Sequence, residues 1–255
     1  MILLASVLIE HLFLYREHHT LSFFSYSSLT TAMGILMMLV APSLWIYLNI
    51  LFLGLFQKHI IGYKHFHFFN PSNFALMMGM LIFYRDAHMV MGQLGDAFAL
   101  RIGVVIAAVL ILYRVDRWLI PVVFSLSYLL FQYFWVVSYD PVLLFEDVYE
   151  RFYSVSFILF VLFMLTDPKT TPPIWWQQAL FAVMVSMVAV GLDRLYGFRI
   201  QHLFMALFLL SPFHMIARFH KDHGVWIRTF LVLVLALSVI IYIEIQPPYY
   251  YEMNR

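Results

Sequence analysis

The chain contains no cysteine, which excludes disulfides, thiolate-bound iron–sulfur clusters and a cysteine nucleophile. Charge is scarce too. Asp, Glu, Lys and Arg make up 11% of the residues, where soluble domains carry about 25%. The net charge of +1 offers nothing for nucleic acid or an acidic partner to recognise. No positively charged stretch precedes Ile2-Leu3-Leu4-Ala5-Ser6-Val7-Leu8-Ile9 and no small-residue cleavage site follows it, so no cleaved signal peptide is expected. G-x-S-x-G, P-loop and H-E-x-x-H motifs are also missing.

What is present is hydrocarbon. Hydrophobic residues are 64% of the chain, 26 are Phe and 16 are Tyr, and mean hydropathy is +0.86. This composition predicts an all-α polytopic membrane protein, with residues 1–255 as one integral membrane domain. Ten apolar segments can be drawn: Ile2–Tyr15, Leu29–Ala41, Leu44–Phe56, Ser72–Tyr84, Phe98–Tyr113, Trp118–Val137, Phe152–Thr166, Trp175–Leu192, Ile200–Phe213 and Val225–Ile243. A full span needs ~20 residues, and several segments are shorter, which suggests half-helices or re-entrant pieces.

If the loops alternate, one side receives Arg16, Lys58, Lys64, Arg114, Arg117, Lys169, Arg218, Lys221 and Arg228. The other receives Arg85, Arg101, Arg151, Arg194, Arg199 and Arg255, and also the acidic loop Asp140–Glu150. The positive-inside rule makes the first side cytoplasmic. The C-terminal Pro247-Pro248-Tyr249-Tyr250-Tyr251 reads as an interfacial aromatic anchor. A short internal similarity relates Leu36–Trp45 to Leu162–Pro168, each closing an apolar run with proline. An odd number of segments per half would make the halves inverted, and the spacing suggests repeats over 1–113 and 118–245 with broken helices.

Polar residues gather in a few places. The first is Lys64-His65-Phe66-His67-Phe68-Phe69-Asn70-Pro71-Ser72-Asn73-Phe74, approached by Gln57-Lys58-His59. Pro71 suits a first helical turn and Asn70 suits its cap. The stretch is either a plain helix start or a positive helix end aimed at an anionic group, with His59, His65 and His67 adding donors. The second is Thr166-Asp167-Pro168-Lys169-Thr170-Thr171-Pro172-Pro173, whose three prolines forbid a regular helix. Asp167 closes an apolar run, where the helix dipole disfavours a carboxylate, so a partner is expected in Lys169 or a facing helix end. The third, Ser27-Ser28-Leu29-Thr30-Thr31-Ala32-Met33-Gly34, is small and hydroxylic and reads first as helix packing. The eleven histidines complete no metal or haem motif, and no metal ligands are assigned.

Three of these motifs occur in a fixed order: Ser27–Ala32 running to Ala41-Pro42, Lys58-His59 before Phe69-Asn70-Pro71, and Phe163–Pro168 followed by Thr171-Pro172. Leu112-Tyr113-Arg114 through Pro121 fits the helix between them. This order resembles the family comprising the D subunit of Rnf electron-transport complexes and the B subunit of sodium-pumping NADH:quinone oxidoreductases, over about residues 1–215. The resemblance implies a many-helix fold of two related halves, flavin cofactors, and electron transfer coupled to ion movement. Members with covalent flavin mononucleotide attach it to threonine in a Ser/Thr-Gly-Ala-Thr motif. The corresponding stretch here, Arg85–Asp96, has no threonine, so covalent flavin is not expected and a noncovalent flavin is left open. The chain looks like a reduced relative, of the kind associated with natural-product (enediyne) gene clusters.

Two functions follow as expectations. One is a membrane component of electron transfer or redox-coupled transport, in a bacterial inner membrane and associated with redox or membrane-complex subunits. The other is a small-solute or ion channel or transporter that kept the fold without the redox role. In either, His59, His67, Asn70, Ser72, Asn73, Thr166, Asp167 and Thr170 are the candidate cofactor-binding or pore-lining residues. An intramembrane enzyme ranks last, because no nucleophile–base pair is assembled.

Overall fold

The structure, a computed structural model, describes residues 1–18, 26–64, 66–91, 98–137 and 144–246. His65, the stretch Gly92–Asp96 that bears on flavin attachment, the start of the acidic loop and the C-terminal Pro247–Tyr251 run lie outside the described residues. The chain is mostly helical: α1 (Ile2–His18), α2 (Tyr26–Met38), α3 (Leu44–Ile60), α4 (Pro71–Ile82), α5 (Phe98–Val115), α6 (Leu119–Phe131), α7 (Phe145–Arg151), α8 (Val155–Leu159), α9 (Trp175–Tyr196), α10 (Gln201–Leu210), α11 (Phe213–Phe219) and α12 (His223–Ile245). α6 and α8 each continue as a π-helical turn, over Gln132–Val137 and Phe160–Met164. Two minute antiparallel ladders complete the frame, β1 (Leu39–Val40) with β4 (His88–Met89) and β2 (Gly62–Tyr63) with β3 (Phe66–His67).

Three helical stretches are long and apolar enough to cross a membrane: Trp175–Tyr196, Gln201–Phe219 and His223–Ile245. Several shorter apolar helices stand beside them, including Leu44–Ile60 and Pro71–Ile82. The outward surface of α12 is apolar along its length, with Ile227, Phe230, Leu231, Val234, Leu235 and Ile241 all exposed. An unpartnered hydrocarbon stripe of this length suits lipid rather than water. Trp175, Trp176, Trp118 and Tyr196 are exposed at helix ends, where amphipathic rings suit a membrane interface. These features mark a helical membrane protein.

Side-chain contacts define two ends. At one, Asn70 reaches Asp167, Arg117 reaches Pro172, Arg218 reaches Pro168 and Thr171, and Tyr63 donates to Asp222. At the other, Arg151 and His202 meet Asp193, and Arg199 and Gln201 meet Glu244. The first end collects loop cations that charge counting sorts to one side, and the second holds Arg151 and Arg199 from the opposite set. α9 joins the two ends, and its 22 residues span about 33 Å at 1.5 Å each.

Packing follows small residues, as it must where lipid is as apolar as the protein interior. A Cβ on Gly54 of α3 would lie 2.8 Å from both Ala75 Cβ and the Pro71 carbonyl oxygen, so only glycine lets α3 meet the start of α4. At Gly34 of α2 a Cβ would come within 3.1 Å of Ser72 Oγ. α6 and α9 form the most extensive helix pair, whereas α5 packs chiefly on α8 and the π turn after it. That leaves a gap between α5 and α2.

Candidate functional site

The gap is a cavity of about 820 Å³. Its polar end is built from the two breaks that the sequence singles out. Asn70 caps α4: its side-chain oxygen accepts the backbone N–H groups of Ser72 (3.0 Å) and Asn73 (3.2 Å), and Pro71 fills the first helical position. The cap geometry is the one expected from the sequence. Its Nδ2 remains, and it donates to Asp167 Oδ2 at 3.0 Å. The positive end of α4 is thus aimed at a carboxylate of the same chain.

The π turn Phe160–Met164 delivers Asp167. Leu165 N–H donates to the Phe160 carbonyl at 2.9 Å, a wider ring than α-helix makes, and the proline-rich loop begins there. Asp167 Oδ1 accepts the Lys169 backbone N–H at 2.9 Å, and the Asp167 carbonyl accepts the Thr171 hydroxyl at 2.9 Å. Both expected kinds of partner are therefore present, a facing helix end and Lys169, the latter through its backbone. Arg218 Nη2 donates to the Pro168 and Thr171 carbonyls at 2.7 Å each, and Arg117 Nη1 to the Pro172 carbonyl at 2.9 Å. Two guanidinium groups from other helix ends hold the loop in place, because its prolines and twisted backbone leave carbonyls that no helix satisfies. Burial pushes the Asp167 carboxyl above the usual carboxylate range, against the hydrogen bonds from Lys169 and Asn70.

Of the candidate residues, His67, Asn70, Ser72, Thr166 and Asp167 line the cavity. Thr30, Thr31 and Gly34 line it as well, so the hydroxyl-rich start of α2 serves both packing and lining. Apart from Tyr26, Ser27 and Lys169, the remaining wall is apolar, with Leu29, Met33 and Met37 from α2, Ala99, Gly103, Ala107 and Ile111 from α5, and Phe163 and Met164 from the π turn. Spaced by four, the α5 residues form one stripe along the helix.

Three candidates stand elsewhere. His59, in the last turn of α3, pairs with Glu10 at 3.4 Å and stacks on Phe13, and Lys58 bonds the same carboxylate. Asn73 is fully buried and donates to the Phe204 carbonyl at 3.2 Å, tying α4 to α10. Thr170 is buried within the loop with its hydroxyl toward the Asp167 carbonyl. Burial, followed by the nearby charges of Lys169 and Lys58, lowers His67 to about 4, so its ring is neutral near pH 7.

A second polar cluster was not singled out from the sequence. Asp193, Arg151, His202 and Glu244 meet at the opposite end with Tyr128 and Gln132. Arg151 is fully buried. The available signal was charge inside or just beyond an apolar segment, at Asp193 and Glu244, which in a membrane is costly unless paired. Among the described residues no group of three His, Cys, Asp or Glu side chains is arranged to hold a metal ion.

Comparison with known protein families finds none that matches, and comparison with curated proteins finds no related sequence.

Proposed function

We propose that the chain is an RnfD-like integral membrane component of an electron-transfer or redox-coupled transport system, without covalent flavin mononucleotide, in a bacterial plasma membrane. The observation that carries the reading is the cavity: two helix breaks far apart in sequence converge on it, and its ~820 Å³ falls within the ~300–1,000 Å³ of ligand and cofactor pockets. Its long apolar wall and hydroxyl-rich polar end fit a planar aromatic redox ring with a polar edge. Thr30, Thr31 and Asn70 would bond that edge, with Met33, Gly103, Phe163 and Met164 against the ring. When bound, such a group supplies the one- or two-electron chemistry that side chains lack. Asp167 disfavours a phosphate at the polar end and Lys169 favours one at its margin, so the ring is the better-matched part of a noncovalent flavin. The ten apolar segments are read as two inverted halves, with the Lys58, Lys64 and Lys169 end cytoplasmic and available to redox or other membrane subunits.

Absorbance and fluorescence spectra of the purified, washed protein test this. A flavin band lost on Gly103→Leu supports it, and a protein without any redox chromophore counts against a cofactor in this chain.

A second reading is a small-solute or ion pathway. It is favoured by hydrogen-bonding groups that face the cavity at a break between helices, the usual placement of a transport site. Uptake into proteoliposomes that Asp167→Asn and Asn70→Ala leave unchanged removes that reading.

A further inference from the structure

The Asp193 cluster holds an arrangement that side-chain anchoring does not require. Asp193 is saturated: Oδ2 accepts from Arg151 Nη1 (3.0 Å) and Gln132 Nε2 (2.7 Å), and Oδ1 accepts the Arg199 backbone N–H (3.1 Å). His202 Nδ1 lies 2.7 Å from Oδ1, and a carboxylate with these donors is an acceptor, so the proton on that contact belongs to Nδ1. The other ring nitrogen, Nε2, then faces Glu244 Oε1 at 3.4 Å. Without a further proton this would set a nitrogen lone pair against a carboxylate oxygen, both buried. Gln201 Nε2 donates to the same Oε1 at 2.7 Å, and Arg199 Nη1 stands 3.5 Å from Oε2, so the glutamate is already prepared as an anion.

We propose that His202, clamped between Asp193 and Glu244, is a proton-binding site inside the helix bundle that exchanges with water on the Arg199 side. In the loaded state the ring is an imidazolium between two carboxylates. On release the Nε2–H bond breaks and an O–H bond forms at Glu244. The proton then passes to water past Arg199, whose side chain is 38% exposed while that of Glu244 is 1% exposed. Uptake reverses the steps, and no electrons move. Among the described residues, each charged or titratable group that faces the ring has a part. Asp193 from α9 orients it, and Glu244 from α12 exchanges with it. Arg151 from α7 balances Asp193, and the loop residue Arg199 faces water. Tyr128 from α6 bonds Arg151, and the Tyr196 ring stands 6.5 Å away. Arg151 Nε and Nη2, Gln132 Oε1 and His202 Nε2 are buried without a hydrogen-bond partner among the described residues, Nε2 standing at ion-pair distance from Glu244 and the Arg151 guanidinium lying over the Phe198 ring. Buried water is the ordinary partner of such spare polar atoms. The site does not depend on what the cavity at the other end binds.

The test is a pH titration of the full chain in lipid nanodiscs with ¹⁵N-labelled histidine, with the His202 signals assigned by their loss in His202→Gln. One ring is expected to gain and lose a proton at Nε2, and Glu244→Gln should move that midpoint down by about 1–3 pH units, the effect of losing an opposite charge within ~4–6 Å. Arg199→Gln, at a partly exposed position, should move it up by less, and serves if Glu244→Gln does not fold. A ring that keeps one protonation state from about pH 4 to pH 10, or a midpoint that neither variant moves, overturns the proposal.

Discussion

Asp167 and Asp193 both close a long apolar stretch, at opposite ends of the molecule, yet they differ in what surrounds them. Among the described residues, Asp167 accepts from neutral donors, the Asn70 amide and the Lys169 N–H, and borders a cavity. Asp193 accepts from Arg151, Gln132, His202 and the Arg199 N–H. A π-helical turn feeds each cluster, one leading into Asp167 and the other carrying Gln132. The difference teaches that a buried carboxylate is not one kind of feature. Asp193 has its charge balanced inside the fold and serves the assembly of helices. Asp167 keeps hydrogen-bonding capacity on the side where a ligand would sit.

The comparison breaks most visibly at the ion pair. Arg151→Met removes the guanidinium partner of the buried Asp193 charge and should cost about 3–5 kcal/mol, while Asp167→Asn should cost under about 1 kcal/mol. Denaturation of the purified protein measures both, and equal losses would erase the distinction between the ends.

Acid provides the next largest effect. His67 has a folded pKa of about 4 against 6.5 in the open chain, so below pH 6.5 the unfolded state takes a proton that the folded state refuses. Its contribution is complete above pH 6.5 and is lost as pH falls toward 4, at about 1.4 kcal/mol per pH unit and about 3 kcal/mol in all. His67→Gln should flatten that slope in unfolding midpoints measured against pH.

Removing the cap is smaller. Asn70→Ala should cost about 1 kcal/mol, within the 0.5–2 of lost N-caps, and should also free Asp167 Oδ2. A scan of helix stability by hydrogen exchange should place the loss in the first turn of α4. The smallest effect on stability belongs to Gly103, where an added Cβ meets nothing within 4 Å. Gly103→Leu should change stability by less than about 1 kcal/mol, since helix propensity favours it, yet intrude on the cavity and lower retention of any bound chromophore.

Much of the site's local form was legible. Asn70-Pro71 announced a capped helix start because a side-chain acceptor followed by a residue without N–H satisfies a first turn. The prolines at 168, 172 and 173 announced a loop for the same local reason. The unfavourable position of Asp167 announced a partner. The identity of that partner, 97 residues away, was not legible, because no local rule relates α4 to the π turn. His59 and Asn73 illustrate the converse. Their neighbours in sequence made them site candidates, but helix rotation turns His59 toward Glu10 and Asn73 toward α10. The π turns were invisible too, since a single widened ring leaves no compositional trace.

Composition by itself determined the solvent this chain suits and the places where its helices must start and break. Those properties depend on single residues and their neighbours: hydrocarbon content, proline, and cap side chains. Only the tertiary structure decided which breaks meet, that α5 stands off to leave a cavity, and that Asp193, His202 and Glu244 converge while Asp167 stays open. These depend on how close helices can approach, which small residues such as Gly34 and Gly54 permit at particular contacts and which no stretch of sequence states alone.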